Sequence, residues 1–149
     1  MAKLYFYYAS MNAGKSTTLL QADFNYGERG MATMLWTAAL DDRYDAGAVT
    51  SRIGLAAEAH KFAPETDIRE EVLARHAAQK EAGAPLACVL VDEAQFLSRD
   101  QVLGLARLAD EADIPVVTYG LRTDFEAALF PGSAALLGLA DSLVELKGV

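Results

Sequence analysis

Apolar and polar positions along the chain alternate between two periods. "LYFYYA" at Leu4–Ala9 is apolar on both faces, as a buried strand is. The stretch after Gly14, "KSTTLLQADFNYGERG", places Leu19, Leu20 and Phe24 at helical spacing, with Gly30 as a stop. "MATMLWT" predicts a second buried strand. "RIGLAAEAHKF" contains a short strand inside a Gly-, Asp- and Ser-rich region from Ala38 to Pro64 that is too long for an ordinary connection. Asp67 caps a helix over "DIREEVLARHAAQKEAG" that Gly83 ends. "PLACVLVDE" is a strand ending in two carboxylates. Ser98 caps the next helix, whose stripe is Val102, Leu105 and Leu108 or Ala109. "IPVVTYGL", "GSAALLGLAD" and "SLVELKGV" predict strand, short helix and strand.

Buried strands separated by helices imply right-handed crossovers and an open, mostly parallel α/β sheet, read here as one domain over residues 1–149. Ligands of such sheets bind beyond the carboxyl ends of the strands. Lys15, Asp41, Asp92, Glu93 and Arg122 with Asp124 all fall at such ends.

"YASMNAGKST" after the first strand has the form of a phosphate-binding loop, a P-loop. Gly14 allows close backbone approach, Lys15 reaches the terminal phosphates, Ser16 supplies a hydroxyl for magnesium, and Thr17 supports the first helical turn. The usual first glycine is Ala9, so the chain is expected to enter the loop with a negative φ there. Ala9, Ser10, Met11, Asn12, Ala13, Gly14, Lys15, Ser16 and Thr17 form the candidate nucleotide-binding stretch. Asp92, at the tip of its strand, completes the expected magnesium site. Glu93 can deprotonate an attacking hydroxyl or water. Ala94 belongs to the same turn, and Gln95 faces a base or ribose in this reading or is solvated polar filler. Met11, Phe96 and Phe125 suit a flat acceptor, and core packing accounts for them as well.

Composition narrows the partners. Hydrophobic residues are 52% and charged ones 23% of 149, which places the chain among folded proteins. A net charge of −8 without a basic cluster disfavours nucleic acid. The early residues have no secretory h-region, and no apolar run spans a bilayer, so a cytoplasmic protein without membrane contact is expected. The lone Cys88 reads as a buried small hydrophobe.

"YYASMNAGKSTTLL", "TAALDDRYDAGAVTSRIGL", "LVDEAQFL" and "YGLRTDF" together resemble the motifs of the bacterial branch of the type II thymidine kinases, over essentially the whole chain. The resemblance implies a RecA-like P-loop core, a homotetramer, and transfer of the ATP γ-phosphate to the 5′-hydroxyl of thymidine, with deoxyuridine as a secondary substrate. It implies that Lys15 and Ser16 serve ATP and magnesium, that Asp41 and Arg43 lie near metal and phosphate, and that Glu93 is the general base. It further implies that Met11, Phe96, Leu121, Phe125 and Phe130 line the thymine pocket. The family also carries a four-cysteine zinc ribbon and a lasso-like lid after the counterpart of "LVELKGV". With Cys88 alone the 149 residues cannot form that site, so zinc is expected only in a longer parent and thymidine is expected to bind this stretch weakly. Two other readings stay open at the level of sequence: another P-loop ATPase, and a non-catalytic ATP-binding remnant.

Overall fold

The computed structural model describes residues 2–9, 25–39, 59–123 and 127–146. Among the described residues, six strands form one parallel sheet: β1 (Leu4–Ala9), β2 (Ala32–Ala38), β3 (His60–Phe62), β4 (Leu86–Val91), β5 (Val116–Leu121) and β6 (Ser142–Glu145), in the spatial order β3-β2-β4-β5-β1-β6. Every ladder is parallel. β5 therefore lies between β1, which leads into the candidate phosphate loop, and β4, which ends at Asp92.

Helices α1 (Ile68–Glu81), α2 (Arg99–Glu111) and α3 (Pro131–Leu139) pack on one face of the sheet. Their ends follow the expected chemistry. The Asp67 carboxylate accepts from the Glu70 N–H at 3.0 Å, and Gly83 takes a φ of 84° just past α1. Ser98 and Gln101 form a reciprocal capping box on α2. The Gln101 amide also donates to the carbonyls of Ala63 and Thr66, at 2.8 and 3.0 Å, and so ties the β3–α1 connection to α2. Pro131 opens α3, where its missing N–H costs nothing.

Strand residues alternate between two apolar layers. Leu4, Phe6, Met34, Trp36, Val89, Val91 and Val116 face the three helices, with Val102, Leu105, Leu108 and Ala109 of α2 buried against them. Leu35, Cys88, Leu90 and Tyr119 form the second layer, joined by Tyr7 and by Tyr26 from the helical residues 25–28. Burial, reinforced by Cys88 and Tyr5, pushes the Tyr26 phenol up to about 12. Desolvation raises Tyr119 as well, with Tyr7, Cys88, Tyr26 and Asp92 adding to it. Gly30, with a φ of 70°, ends the helical segment before β2, as its position in the sequence suggests. The rest of the stretch expected to be helical, residues 15–24, lies outside the described residues.

Candidate active site

The carboxyl ends of β1, β5 and β4 lie side by side. Ala9 is in register with Leu121, and Val91 with Thr118. Ala9 closes β1 as an ordinary buried strand residue, and its carbonyl accepts from the Arg122 N–H at 3.4 Å. Its φ is not positive, so alanine meets the backbone requirement there without strain. Beyond it, Ser10, Met11, Asn12, Ala13, Gly14, Lys15, Ser16 and Thr17 lie outside the described residues, as do Asp41, Arg43, Asp124 and Phe125.

Asp92 and Glu93 follow β4 directly and are buried, at 1% and 5% exposure. Two carboxylates with so little solvent require built-in partners. The Asp92 N–H donates to the Trp36 carbonyl at 2.8 Å, which extends the β2–β4 pairing one residue past the strand. Asp92 Oδ1 accepts from the Glu93 N–H at 2.8 Å. Glu93 itself has φ 56° and ψ 38°, the left-handed region. A non-glycine residue there costs about 1–2 kcal/mol. Backbone held in this way is over-determined by its surroundings, and such residues cluster at functional sites.

The surroundings are specific. A short 3₁₀ turn, Ala94–Phe96, follows Glu93. Its carbonyls face the start of α3, where a Cβ on Gly132 would run into the Ala94 oxygen and stand 2.9 Å from the Gln95 oxygen. On β5, a Cβ on Gly120 would stand 2.7 Å from Gln95 Oε1. Only glycine fits at either place without displacing its neighbours. Gln95 is 2% exposed, with its amide turned into the protein toward Glu93 and Leu121, so of the two sequence readings the solvated polar filler is excluded.

Phe96 projects from the end of the turn, 44% exposed, and meets the Phe130 ring edge-on at 5.7 Å between centroids. Leu121 ends β5 close by, and its carbonyl accepts from the Ser133 hydroxyl. The structure thus gathers Asp92, Glu93, Ala94, Gln95, Phe96, Leu121 and Phe130 around one turn. A smaller recess of about 40 Å³ opens between Tyr8, Ala9, Arg122, Thr123 and Glu145, with the Arg122 guanidinium 5.4 Å from the Tyr8 ring centre. Sequence reasoning had missed Gly120, Gly132 and Ser133. A glycine inside the strand "VVTYGL" is a signal of close backbone approach and could have pointed to the first.

Chemically, the turn joins a buried acid pair to an apolar corner. Asp92 is a hard oxygen donor of the kind magnesium takes, and the further donors expected beside it, Ser16 and Asp41, are of the same type. Glu93 precedes Phe96 by three residues, so the buried carboxylate and one ring of the Phe96–Phe130 pair share one short segment, while Phe130 comes from the start of α3.

Comparison with known proteins agrees in outline. A family model described as thymidine kinase matches residues 2–149. A thymidine kinase of Novosphingobium aromaticivorans is 71% identical over 149 residues, which are 100% of this chain and 75% of that protein. One of Zymomonas mobilis is 58% identical over the same span, again 75% of its length. Among solved structures, an ATPase domain superposes with a TM-score of 0.58 at 14% identity, covering 97% of this chain and 69% of the other. That likeness shows the fold alone, a parallel sheet flanked by helices shared with that ATPase domain.

Proposed function

The chain belongs to the thymidine kinase family, and from that premise we propose that it moves the γ-phosphoryl group of ATP to the 5′-hydroxyl of thymidine, giving dTMP and ADP. The observation that carries the reading at residue level is the buried Asp92–Glu93 turn, held in a left-handed conformation beside an apolar corner. An enzyme that only hydrolyses ATP has no need of that corner.

Phosphoryl transfer asks little covalent chemistry of a protein; positioning and charge stabilisation supply most of the rate. In this proposal the loop from Ala9 to Thr17 cradles the phosphates, with Lys15 on the terminal ones, and Arg43 offsets charge on the transferring group. Ser16, Asp41 and Asp92 would hold magnesium, which would supply positive charge against the phosphates. Ala94 borders the nucleotide. Glu93 accepts the proton of the 5′-hydroxyl as the oxygen attacks. Met11, Phe96, Leu121, Phe125 and Phe130 hold the thymine ring. A slot of this kind separates thymine from uracil by one methyl group, worth only about 1–3 kcal/mol, so deoxyuridine is a secondary acceptor.

The protein is further proposed to be a cytoplasmic homotetramer that binds neither nucleic acid nor membrane. A net charge of −8 supports the first exclusion. For the second, among the described residues no helix is long and apolar enough to cross a membrane. A zinc-bearing lid over the nucleoside is proposed for the longer form of the family.

Glu93→Gln tests the reading. It keeps side-chain size and removes the base, and a positioned base contributes about 10²- to 10⁴-fold. Phosphoryl transfer in a single turnover should fall by that order with ATP affinity preserved. A loss of less than about threefold, set against that range, contradicts the role.

A further inference from the structure

The carboxylate of Glu93 is held by a side chain that no catalytic step uses. Gln95 is buried, and a buried amide is costly unless both ends are paired. Its Nε2 donates to Glu93 Oε2 at 2.9 Å, and its Oε1 accepts from the Leu121 N–H at 3.1 Å. The Leu121 carbonyl accepts in turn from the hydroxyl of Ser133, itself fully buried. A continuous chain of contacts therefore runs from α3 through the tip of β5 to Glu93. Gly120 makes it possible, because a Cβ there would lie 2.7 Å from Gln95 Oε1 and 2.9 Å from the Gln95 nitrogen.

A glutamate has three side-chain torsions, and the left-handed backbone at Glu93 sets only where the side chain begins. Fixing one carboxylate oxygen restricts the plane of the group and the direction of the other oxygen. We infer that Gln95 is a positioning residue: its amide aims the Glu93 carboxylate and couples it, through Leu121, to β5 and α3, the elements that carry the apolar corner. The inference rests on Glu93 being the base. It also gives Gln95 a different task from contact with ATP, and the two tasks have different kinetic consequences.

The test is a double-mutant cycle on the full-length protein. Gln95→Met keeps the volume and removes the amide. Gln95→Asn keeps an amide but is one methylene too short to span Glu93 and Leu121, and it carries the same cycle where the Met variant is too unstable to purify. Single-turnover transfer to thymidine should fall about ten- to hundredfold in either variant, the range expected when a reacting group is misplaced by about 1 Å. Affinity for ATP, measured by titration, should stay within about twofold, because the positioned group acts after nucleotide binding. In the Glu93→Gln background the same substitution should cost less than about threefold more, since the carboxylate it aims is gone. Full additivity of the two losses overturns the inference, and so does a loss of ATP affinity as large as the loss of rate. An unimpaired Gln95→Met beside a crippled Glu93→Gln removes the positioning role alone. An unimpaired Glu93→Gln removes the base assignment and the inference with it.

Discussion

At the scale of single residues, three side chains carry separable parts of the account. Lys15→Ala should weaken ATP binding or sharply slow transfer while the fold survives, and the backbone amides of the proposed phosphate loop would account for any ATP affinity that persists. Unchanged nucleotide titration with unchanged turnover would contradict the loop assignment. Phe96 is expected to act on the acceptor only. A ring packed against a flat base gains about 0.5–1.5 kcal/mol, so Phe96→Ala should raise the KM for thymidine about two- to tenfold. The KM for ATP should not move, and stability should change little because the ring is half exposed. A rise confined to the ATP KM would place the ring on the wrong substrate. Glu93 was legible as a candidate base from its place after "CVLV", but its left-handed backbone was not. Nothing in "DEAQF" announces it, since glycine, asparagine and aspartate are the residues that ordinarily mark such a position.

Elements were more legible than the contacts between them. Asp67, Gly83 and Ser98 act locally, within one turn of their own helix, and each was readable where it stands. The reach of Gln101 across to Ala63 and Thr66, and the seating of Gly132 on the turn after Glu93, join segments far apart in sequence and leave no periodic trace. The start of α3 illustrates the difference: its helical pattern was evident, while its role as a wall for the turn after Glu93 depends on a missing Cβ. Gly132→Ala should therefore destabilise the fold by about 1–3 kcal/mol through overpacking, read from urea unfolding. It should also slow transfer more than it weakens ATP binding, because the displaced atoms are the carbonyls of the Glu93 turn. Wild-type stability together with wild-type turnover in this variant would show that the wall yields freely and does not shape the turn.

For the whole molecule, parallel topology follows from alternating buried strands and helices, but the strand order does not. That β5 separates β1 from β4 was not read from the sequence, because lateral order is decided by which crossovers pack, not by any one strand's residues. The order matters for function: it sets the end of β1, which leads into the candidate phosphate loop, and the acid pair on either side of one strand, with Leu121 and Gly120 between them. It also builds the second apolar layer, where Tyr26 and Tyr119 lie near Cys88. The Tyr26 phenol titrates near 10.0 in an open chain and at about 12 in the fold, so the neutral form favours the native state. Its contribution is complete below pH 10 and is lost as pH rises through about 12. Tyr26→Phe should flatten the fall in urea midpoint across that window, and an unaltered fall would show that the phenol does not report on this layer.

The central claim, phosphoryl transfer to a nucleoside at the β4 tip, is tested most directly by following labelled γ-phosphate from ATP in the presence of magnesium and thymidine. The account predicts that label leaves ATP as dTMP, in step with ADP and only when thymidine is present. ADP formed with free phosphate, at the same rate with or without thymidine, would contradict it and make the protein an ATPase.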